Sequence, residues 1–400
     1  MPRVLKWLFY VLAALAVLVG VFWYAIGPRW RTFLTNIPAD RNVLFWPVEN
    51  RDIAFRYLDM IPAVAKARWI EPGEQVRALE RGEPLDLAAV GFDLDQAFAD
   101  QNIAALIVLQ GGKVRLERYG IDLNARDRWT SFSIAKSVTS TLVGAALADG
   151  SIGSLQDGVV DYLPDLAGSA YEGVTLDQLL SMTSGVAWDE NYDDPSSDVP
   201  RFDAHRGPQG KNHLIDYMAR LPREHEPGTH WRYSTGETNM IGLLVSSAVG
   251  QDLASYVQEK IWQPYGMEAK ASWILSNQGD EIAGCCMQMV PRDYARLGLM
   301  ALEAGNGPTQ ALIEPDWFAY ATSEQQNIGK PDFGYGSQWW TYPDGRFGAR
   351  GIFGQNILVD PQRQAVVVIL SNWINARGHD QDQRGQQAVL QEVILGALGQ

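Results

Sequence analysis

Two short apolar runs on either side of a glycine pair form the clearest local pattern in the chain. Residues 103–109 are aliphatic almost throughout, and residues 114–119 alternate apolar with charged side chains. Gly111 and Gly112 lie between the two runs, and glycines accept the positive φ angles that tight hairpin turns require. The pattern therefore predicts a β-hairpin over residues 103–119.

In the middle of the chain the apolar residues recur every three or four positions, which is typical of helices. Over residues 133–147 the apolar side chains fall on one helix face. A second helix is predicted over residues 175–182, where Thr175 and Gln178 are spaced as in a capping box. Further helices are predicted over residues 253–262, 292–303 and 386–398.

Two more strands are predicted near the carboxyl end of the chain, at residues 355–359 and 365–370. Strands near both ends of a chain whose middle is helical are typical of an α+β fold. We expect one antiparallel sheet built from the first and last segments of this region, with helices packed over its faces.

The amino-terminal segment has the composition of a membrane-spanning helix. Residues 7–27 are 21 residues without a charge, and a helix of that length extends about 30 Å, the thickness of the hydrocarbon layer. Tryptophan and tyrosine residues lie near both ends of this stretch, as they do at membrane interfaces. The alternative is a cleavable signal peptide with Arg3 and Lys6 as its basic region, but the apolar stretch is long for one and no small-residue cleavage site follows.

We therefore predict a single-pass membrane anchor, or else a signal peptide, over residues 1–30. The expected location is the inner (cytoplasmic) membrane, with the globular body on the exported, periplasmic side. The charge pattern does not fix this orientation, because Arg29 and Arg31 nearly balance Arg3 and Lys6.

Composition and charge narrow the range of partners. The 400 residues carry a formal net charge of −14 and no long Lys/Arg cluster, so a nucleic-acid partner is not expected. The two cysteines, Cys285 and Cys286, are adjacent in sequence. Since neighbouring cysteines rarely pair with each other, we expect no disulfide and interpret them as a small buried pair.

Candidate chemistry begins with the tetrad Ser133-Ile134-Ala135-Lys136, which opens the helix predicted over residues 133–147. Residues three apart share a helix face, so the lysine amine can meet the serine hydroxyl. Free N–H groups at a helix start can bind an oxyanion, and burial lowers a lysine pKa so that the amine can accept a proton. Taken alone, such a pair more often belongs to a solvated helix face.

An ordered series of further motifs follows this tetrad. They lie at residues 179–186, 227–228, 233–236, 264–267, 292–296 and 351–355, with the sequences LLSMTSGV, PG, YSTG, PYGM, RDYAR and GIFGQ. With this series the chain resembles, from about residue 95 to its end, the serine hydrolases of the β-lactamase and D-Ala-D-Ala-peptidase type. Within their class C-like branch it is most similar to the nylon-oligomer (6-aminohexanoate-dimer) hydrolases and related esterases. The resemblance implies a β-lactamase/transpeptidase-like fold with a helical insert domain.

The resemblance also implies catalytic roles for individual residues. Ser133 matches the nucleophile, Lys136 its base partner, and Tyr233 the tyrosine that carries protons to the leaving group. The backbone N–H groups of Ser133 and Ile352 match the two oxyanion donors. No metal or cofactor is expected, because the calcium-like spacing after Asp189 and the zinc-like spacing near His225 both lack the required ligand pattern.

Several positions are predicted to contact the substrate. Residues 189–194 correspond to a mobile loop of the nylon-oligomer hydrolases, in which Tyr192 matches the tyrosine that covers the substrate. The predicted substrate-binding residues are Tyr192, Gly351, Phe353, Gly354, Trp339 and His379. The alternatives are a solvated acidic loop at Tyr192, core packing for Trp339, a surface position for His379 and an ordinary strand bulge at the third motif.

Two departures from the family pattern bear on the substrate. Thr235 stands where lactamases and peptidases have an asparagine two residues after the tyrosine. The third motif contains no cation, although Arg350 immediately precedes it, so the usual anchor for a substrate carboxylate is missing. These departures favour a small, less polar amide or ester over β-lactams and acyl-D-Ala-D-Ala peptides.

We therefore predict three segments: the anchor at residues 1–30, a connecting arm or subdomain at 31–95, and a hydrolase domain at 96–400. The expected activity is hydrolysis of a small amide or ester through an acyl-enzyme on Ser133. The alternatives are a D,D-peptidase or β-lactamase acting on cell-wall peptides or β-lactams, a non-catalytic envelope-binding protein, and a structural envelope protein. The sequence leaves the oligomeric state open.

Overall fold

A seven-stranded antiparallel sheet forms the centre of the protein in the computed structural model, which describes residues 3–39, 42–61, 65–304 and 307–399. The strands are β1 (Lys66–Ile70), β2 (Ile103–Gln110), β3 (Lys113–Tyr119), β4 (Trp129–Thr130), β5 (Ala271–Leu275), β6 (Met287–Met289), β7 (Gly334–Tyr335), β8 (Trp340–Thr341), β9 (Phe347–Gly351), β10 (Gln355–Asp360) and β11 (Ala365–Ser371). The large sheet has the order β3-β2-β11-β10-β9-β8-β7, and a smaller sheet has the order β1-β5-β6-β4.

Helices fill the long connections and cover the sheet. They are α1 (Arg3–Ala25), α2 (Gly27–Thr35), α3 (Val48–Tyr57), α4 (Leu94–Asp100), α5 (Ile134–Ala148), α6 (Val159–Tyr162), α7 (Leu176–Leu180), α8 (Asp198–Ala204), α9 (His213–Met218), α10 (Thr235–Val249), α11 (Leu253–Val257), α12 (Pro291–Leu302), α13 (Trp317–Ala321) and α14 (Gln383–Leu398).

Both faces of the large sheet are covered, which accounts for the continuous apolar sequence of its central strands. On one face, Leu106 and Val108 of β2 belong to the same buried cluster as Leu390 and Ile394 of α14. On the other face, α12 packs on β10 and β11, while α5 contacts β9 and α10. This second face carries the main core, and α5 lies inside it with most of its residues buried.

Most of the predicted elements are confirmed. Strands β2 and β3 form the hairpin, and Gly111 and Gly112 between them have φ angles of 55° and 73°. Helix α5 begins directly after Ser133, and α7 has both hydrogen bonds of the capping box between Thr175 and Gln178. Strands β10 and β11 pair with each other, and β11 pairs with β2, which confirms an α+β fold with an antiparallel sheet built from both ends of the catalytic region.

The apolar helix α1 is exposed along its length. Its 23 residues are long and apolar enough to cross a membrane, and a signal sequence near the amino terminus would meet the same criteria. The chain then breaks at Gly27, which has a φ of 78°, and Pro28 occupies the first turn of α2. Proline is tolerated there because the N–H group it lacks would have no partner inside the helix.

The segment predicted as a connecting arm packs into the main core. Phe55 of α3 is fully buried, and its ring lies 5.6 Å from Trp129, 4.9 Å from Phe132 and 5.4 Å from Phe353. Strand β1 of the same segment pairs with β5. Residues 31–95 therefore contribute directly to the body that carries the catalytic motifs.

A buried arginine ties α3 to the end of the large sheet. The Nη2 atom of Arg51 donates to the carbonyl groups of Trp373 and Ile374, each at 2.8 Å. Its guanidinium group also lies 4.2 Å from the centre of the Phe353 ring. Burial lowers the pKa of Arg51 to about 10. Helix α3 thus supports the backbone that leaves β11.

The cysteine prediction is wrong, because the structure joins Cys285 and Cys286 in a disulfide. Both residues are half-buried rather than fully enclosed. Cys286 has a φ of 71°, so the backbone turns between the two residues. Neighbouring side chains point to opposite sides in an extended chain, whereas this turn brings them to the same side.

Replacing Phe55 with alanine should lower the free energy of unfolding by about 3–5 kcal/mol, because a fully buried ring is lost and a cavity remains. Phe45→Ala is the matched control, since Phe45 lies in the same segment but is 41% exposed. We expect a loss of about 1 kcal/mol or less for the control. If chemical denaturation shows the same loss of unfolding free energy for both variants, α3 is not part of the core.

Candidate active site

Ser133 lies at the start of α5, directly after a residue in an unusual conformation. Phe132 has a φ of 43°, which is rare for a large side chain, and contacts with Phe55 and Phe353 hold its ring in place. The Ser133 hydroxyl makes no capping bond to the helix. Residues held in such conformations are often found at functional sites, and here the turn places the Ser133 hydroxyl at a helix start without a capping bond.

The amine of Lys136 is buried in the interior, with 1% of the residue exposed. Its Nζ donates to Thr235 Oγ1 at 3.0 Å and to the Gly284 carbonyl at 2.8 Å. Burial lowers the pKa of Lys136 to about 8, and the negative charge of Glu190 partly opposes this shift. A side chain at position 284 would place its Cβ 2.9 Å from Nζ, so the glycine leaves room for the amine.

Tyr233 completes the group that the motifs predicted. The centre of its ring lies 5.3 Å from Lys136 Nζ, and its hydroxyl shares a hydrogen bond with Ser133. Burial, and then the charge of Glu190, raise the pKa of the Tyr233 phenol well above its usual range, while the bond to Ser133 acts in the opposite direction. The structure thus brings Ser133, Lys136 and Tyr233 together.

A carboxylate that the sequence analysis did not single out lies beside these residues. Glu190 Oε1 accepts hydrogen bonds from the hydroxyls of Tyr192 and Thr235. Its Oε2 accepts from the Thr235 N–H at 2.9 Å and from the Trp188 indole. A carboxylate offers about four acceptor positions, so both oxygens are fully used by the protein.

Thr235 links this carboxylate to the lysine. Its hydroxyl accepts from Lys136 and donates to Glu190, so the three side chains form one chain of hydrogen bonds. Thr235 is the position where the family pattern has asparagine. The Thr235 hydroxyl, hydrogen-bonded to Glu190, therefore occupies the place of the asparagine side chain. The acidic sequence of the loop was the one local signal for Glu190.

Tyr192 lies over the same cluster. It is half-buried, and burial followed by the charge of Glu190 raises its pKa well above the usual range. The guanidinium carbon of Arg377 lies 6.0 Å from the centre of its ring, and Nη2 of this arginine donates to the Glu190 carbonyl at 3.0 Å. The predicted covering tyrosine is thus next to the candidate catalytic residues.

Aromatic rings form one wall of the site. The Trp340 ring stacks on Tyr233 with 5.9 Å between centres and 23° between planes. Trp231 and Tyr335 contact both of these rings. Trp339, the predicted pocket residue, is 3% exposed and packs on Phe318 and Phe347 instead. The next residue, Trp340, lies instead at the position predicted for Trp339, because adjacent residues of an extended chain face opposite sides.

The third motif lies beside the turn that carries Ser133. A Cβ on Gly351 would be 2.7 Å from the Ser131 carbonyl, so only glycine lets β9 approach this turn so closely. Ile352, whose N–H is the predicted second oxyanion donor, follows directly and is half-buried. The motif is therefore close to Ser133 through its backbone.

The side chains after Ile352 turn away from the cleft. Phe353 has a φ of 59° and is fully buried against Phe55 and Phe132, so its ring belongs to the core and not to the predicted substrate contacts. Gly354 has a φ of 88°, and a Cβ there would be 2.5 Å from the Trp373 ring. Both residues shape the backbone of the motif.

His379 is exposed, and the structure gives its side chain no hydrogen bond or ion pair to the catalytic group. Arg377, two residues earlier, is the member of this segment that reaches the site. Within the described ranges, no three His, Cys, Asp or Glu side chains are grouped as metal ligands.

The family comparison agrees with this geometry. A family model described as Beta-lactamase matches residues 94–391. In sequence, the chain is 27% identical over 341 residues to the 6-aminohexanoate-dimer hydrolase of Paenarthrobacter ureafaciens, which covers 81% of this chain and 86% of that protein. It is 26% identical over 189 residues to a beta-lactamase of Pseudomonas fluorescens, covering 45% of this chain and 49% of that one.

The fold comparison gives the same result. A Bacillus anthracis protein assigned as a 6-aminohexanoate-dimer hydrolase superimposes with a TM-score of 0.76 at 21% identity, covering 91% of this chain and all 100% of the other. These matches confirm the resemblance inferred from the motifs and the β-lactamase/transpeptidase-like fold.

Proposed function

Since the chain belongs to the beta-lactamase family, we propose that it cleaves a small amide or ester through an acyl-enzyme on Ser133. The observation that carries this proposal is the buried Lys136 amine, held by Thr235 and Gly284 one helical turn after Ser133. A solvated lysine stays charged at neutral pH. With a pKa of about 8, this amine can take up a proton during turnover.

In the first half of the reaction, Ser133 Oγ attacks the substrate carbonyl carbon and its proton passes to the neutral Lys136 amine. Two of the three tetrahedral directions of Nζ already point to Thr235 and Gly284, which leaves one for the serine. The tetrahedral oxyanion accepts hydrogen bonds from the N–H groups of Ser133 and Ile352. The start of α5 and the close approach of Gly351 support this assignment.

In the second half, the carbon–oxygen or carbon–nitrogen bond breaks and Tyr233 donates a proton to the leaving group. Its raised pKa supports this role, because the phenol stays protonated at neutral pH and acts as a donor. Lys136 then returns a proton to Tyr233. Water attacks the acyl-enzyme carbonyl carbon and passes one proton to the same pair. The bond to Ser133 Oγ then breaks, the pair returns that proton to Oγ, and the carboxylic acid is released.

The aromatic side chains around Tyr233 support a partly apolar substrate. Trp340 and Trp231 present aromatic surface next to Tyr233, and the Tyr192 hydroxyl donates to Glu190, the carboxylate bonded to Thr235. The name of the Paenarthrobacter ureafaciens relative denotes hydrolysis of an aminohexanoate dimer, which supports an amide of this kind. Thr235 in the asparagine position weighs against β-lactams and D-Ala-D-Ala peptides.

We also propose that α1 remains as a membrane anchor, with the hydrolase body on the exported side. The length and apolar sequence of α1 support an anchor.

A fluorophosphonate should label Ser133 and leave the Ser133→Ala variant unmodified in intact-mass analysis. The wild type should hydrolyse short nitrophenyl esters or linear amino-acid amide dimers faster than a chromogenic cephalosporin or acyl-D-Ala-D-Ala. Ser133→Ala should lose turnover with nearly unchanged thermal stability, since nothing leaves the core. Faster cephalosporin turnover or D-Ala release would favour the lactamase or peptidase, and an unlabelled wild type would favour a binding protein.

Removing either proton carrier should slow the chemical step. Lys136→Ala and Tyr233→Phe should each lower kcat by about 10²-fold or more in single-turnover measurements. Tyr57→Phe is the matched control for the second variant, because the structure shows no hydrogen bond from the Tyr57 hydroxyl in the described part of the chain. A wild-type rate in either catalytic variant would exclude its assigned role.

Glu190 should influence the pH at which kcat/KM rises. The neutral Lys136 amine is the active form, so kcat/KM should rise with pH through about 8. The Glu190 charge raises this pKa, so Glu190→Gln should move the rise to lower pH. Tyr233, whose ring faces the amine, and Tyr192, which donates to Glu190, stay protonated across this range because their pKa values are raised.

Glu83→Gln is the matched control for the loss of one negative charge, since Glu83 is exposed and lies in the segment before β2. It should leave the pH profile unchanged. A Glu190→Gln profile identical to wild type, accompanied by a lower melting temperature, would restrict Glu190 to a structural role.

A further inference from the structure

A buried glutamine lies between the two segments that carry the predicted oxyanion donors. Gln355 is the last residue of the third motif (residues 351–355) and the first of β10, and 1% of it is exposed. Phe353 and Gly354, directly before it, have φ angles of 59° and 88°, so the chain turns sharply here. A buried turn of this kind leaves carbonyl groups that regular strand pairing does not satisfy.

The Gln355 side-chain amide satisfies the carbonyl groups of this turn. Its Nε2 donates to the carbonyls of Ser371 at 2.8 Å, Phe353 at 3.1 Å and Ile352 at 3.2 Å. Since Nε2 has only two N–H bonds, one of them is shared between two of these carbonyls. The amide therefore holds the residue whose own N–H is the predicted second oxyanion donor, Ile352.

The oxygen of the same amide contacts the strand that leads to Ser133. Oε1 accepts from the Trp129 indole at 3.0 Å and from the Ser371 N–H at 3.2 Å. Reversing the amide would set its NH2 group against these two donors, so its orientation is fixed. Trp129 is fully buried in β4, the strand that precedes the turn carrying Ser133. One side chain thus joins the third motif to the segment that positions the serine.

These contacts leave Gln355 no hydrogen-bonding capacity for a substrate. Both lone pairs of Oε1 and both N–H bonds of Nε2 are used by the protein. The side chain can therefore act on the reaction only through the backbone that it holds. On the other side of the predicted donor, Gly351 approaches the Ser131 carbonyl too closely for any larger residue. The peptide group between Gly351 and Ile352 is thus held from both sides.

We propose that Gln355 is a positioning residue that sets the spacing between the two oxyanion donors, the N–H groups of Ser133 and Ile352. This inference rests on the proposed function. Such donors stabilise an oxyanion when they lie about 2.7–3.1 Å from it, and a displacement of about 1 Å costs about 10²-fold in rate. The negative charge forms only as the serine attacks, so a misplaced donor slows the chemical step without weakening substrate binding.

Stopped-flow acylation by 4-nitrophenyl butyrate, with the full-length protein in detergent, separates these two effects. Gln355→Met should lower the maximal acylation rate by about tenfold or more and leave the half-saturating ester concentration within about threefold, because methionine is of similar length but cannot donate to the three carbonyls. Gln391→Met is the matched control. Gln391 is 6% exposed, and its Nε2 donates at 2.8 Å to the side chain of Asn356, the next residue of β10. The control should keep the wild-type acylation rate.

Butylboronic acid measures the same donors without turnover, because it adds to Ser133 Oγ as a tetrahedral anion that resembles the transition state. Its inhibition constant should rise in Gln355→Met by about the factor by which acylation slows, and should stay at the wild-type value in Gln391→Met. Trp129→Phe removes only one of the bonds to Gln355. It should move the acylation rate and the inhibition constant in the same directions by a smaller factor, and it replaces Gln355→Met if that variant does not fold.

Failure of this inference differs from failure of the proposed function. A wild-type acylation rate and boronate affinity in Gln355→Met, even with a lower melting temperature, would restrict the amide to supporting the fold while Ser133 chemistry stands. Weaker ester binding at an unchanged maximal rate, or equal losses in Gln391→Met, would also overturn the inference. If the wild type hydrolyses no ester and fluorophosphonate leaves Ser133 unlabelled, the proposed function fails and the inference fails with it.

Discussion

The site depends on the removal of one amine from water. Lys136 lies on a helix inside the core, and its Nζ is held by a hydroxyl of Thr235 and a carbonyl of Gly284. Burial disfavours the charged amine, while the Glu190 carboxylate favours it, and the balance leaves a pKa of about 8. Burial and the charge of Glu190 together convert an ordinary cation into a group that can exchange protons.

The sequence predicted what local spacing can reveal. The helical period places Lys136 one turn after Ser133, and the glycine pair fixes the hairpin that feeds the sheet. It did not predict Glu190, because a carboxylate in an acidic loop has the same local pattern whether it is solvated or hydrogen-bonded to Trp188 and Tyr192. The backbone turn at Cys286 is likewise invisible in composition.

The sequence also did not predict which way a side chain faces, or which residues distant in the chain come close together. Which of two adjacent tryptophans faces the cleft depends on strand register, and the short strand β8 gives no hydrophobic alternation from which to read it. The third motif lacks a cation, and that absence suggested an apolar substrate. Only the folded chain shows that Arg377, beyond the motif, lies against Tyr192 and donates to the Glu190 carbonyl.

The junction between α2 and α3 decides how a water-soluble form of this enzyme should be cut. Asp52 is buried, and its carboxylate accepts from Arg29 and from Asn372 at 2.7 Å. A truncation after Trp30 would discard Arg29, leave that acid without its ionic partner and remove half of α2. A cut inside α1, before Gly27, would spare these contacts and take away the apolar span alone.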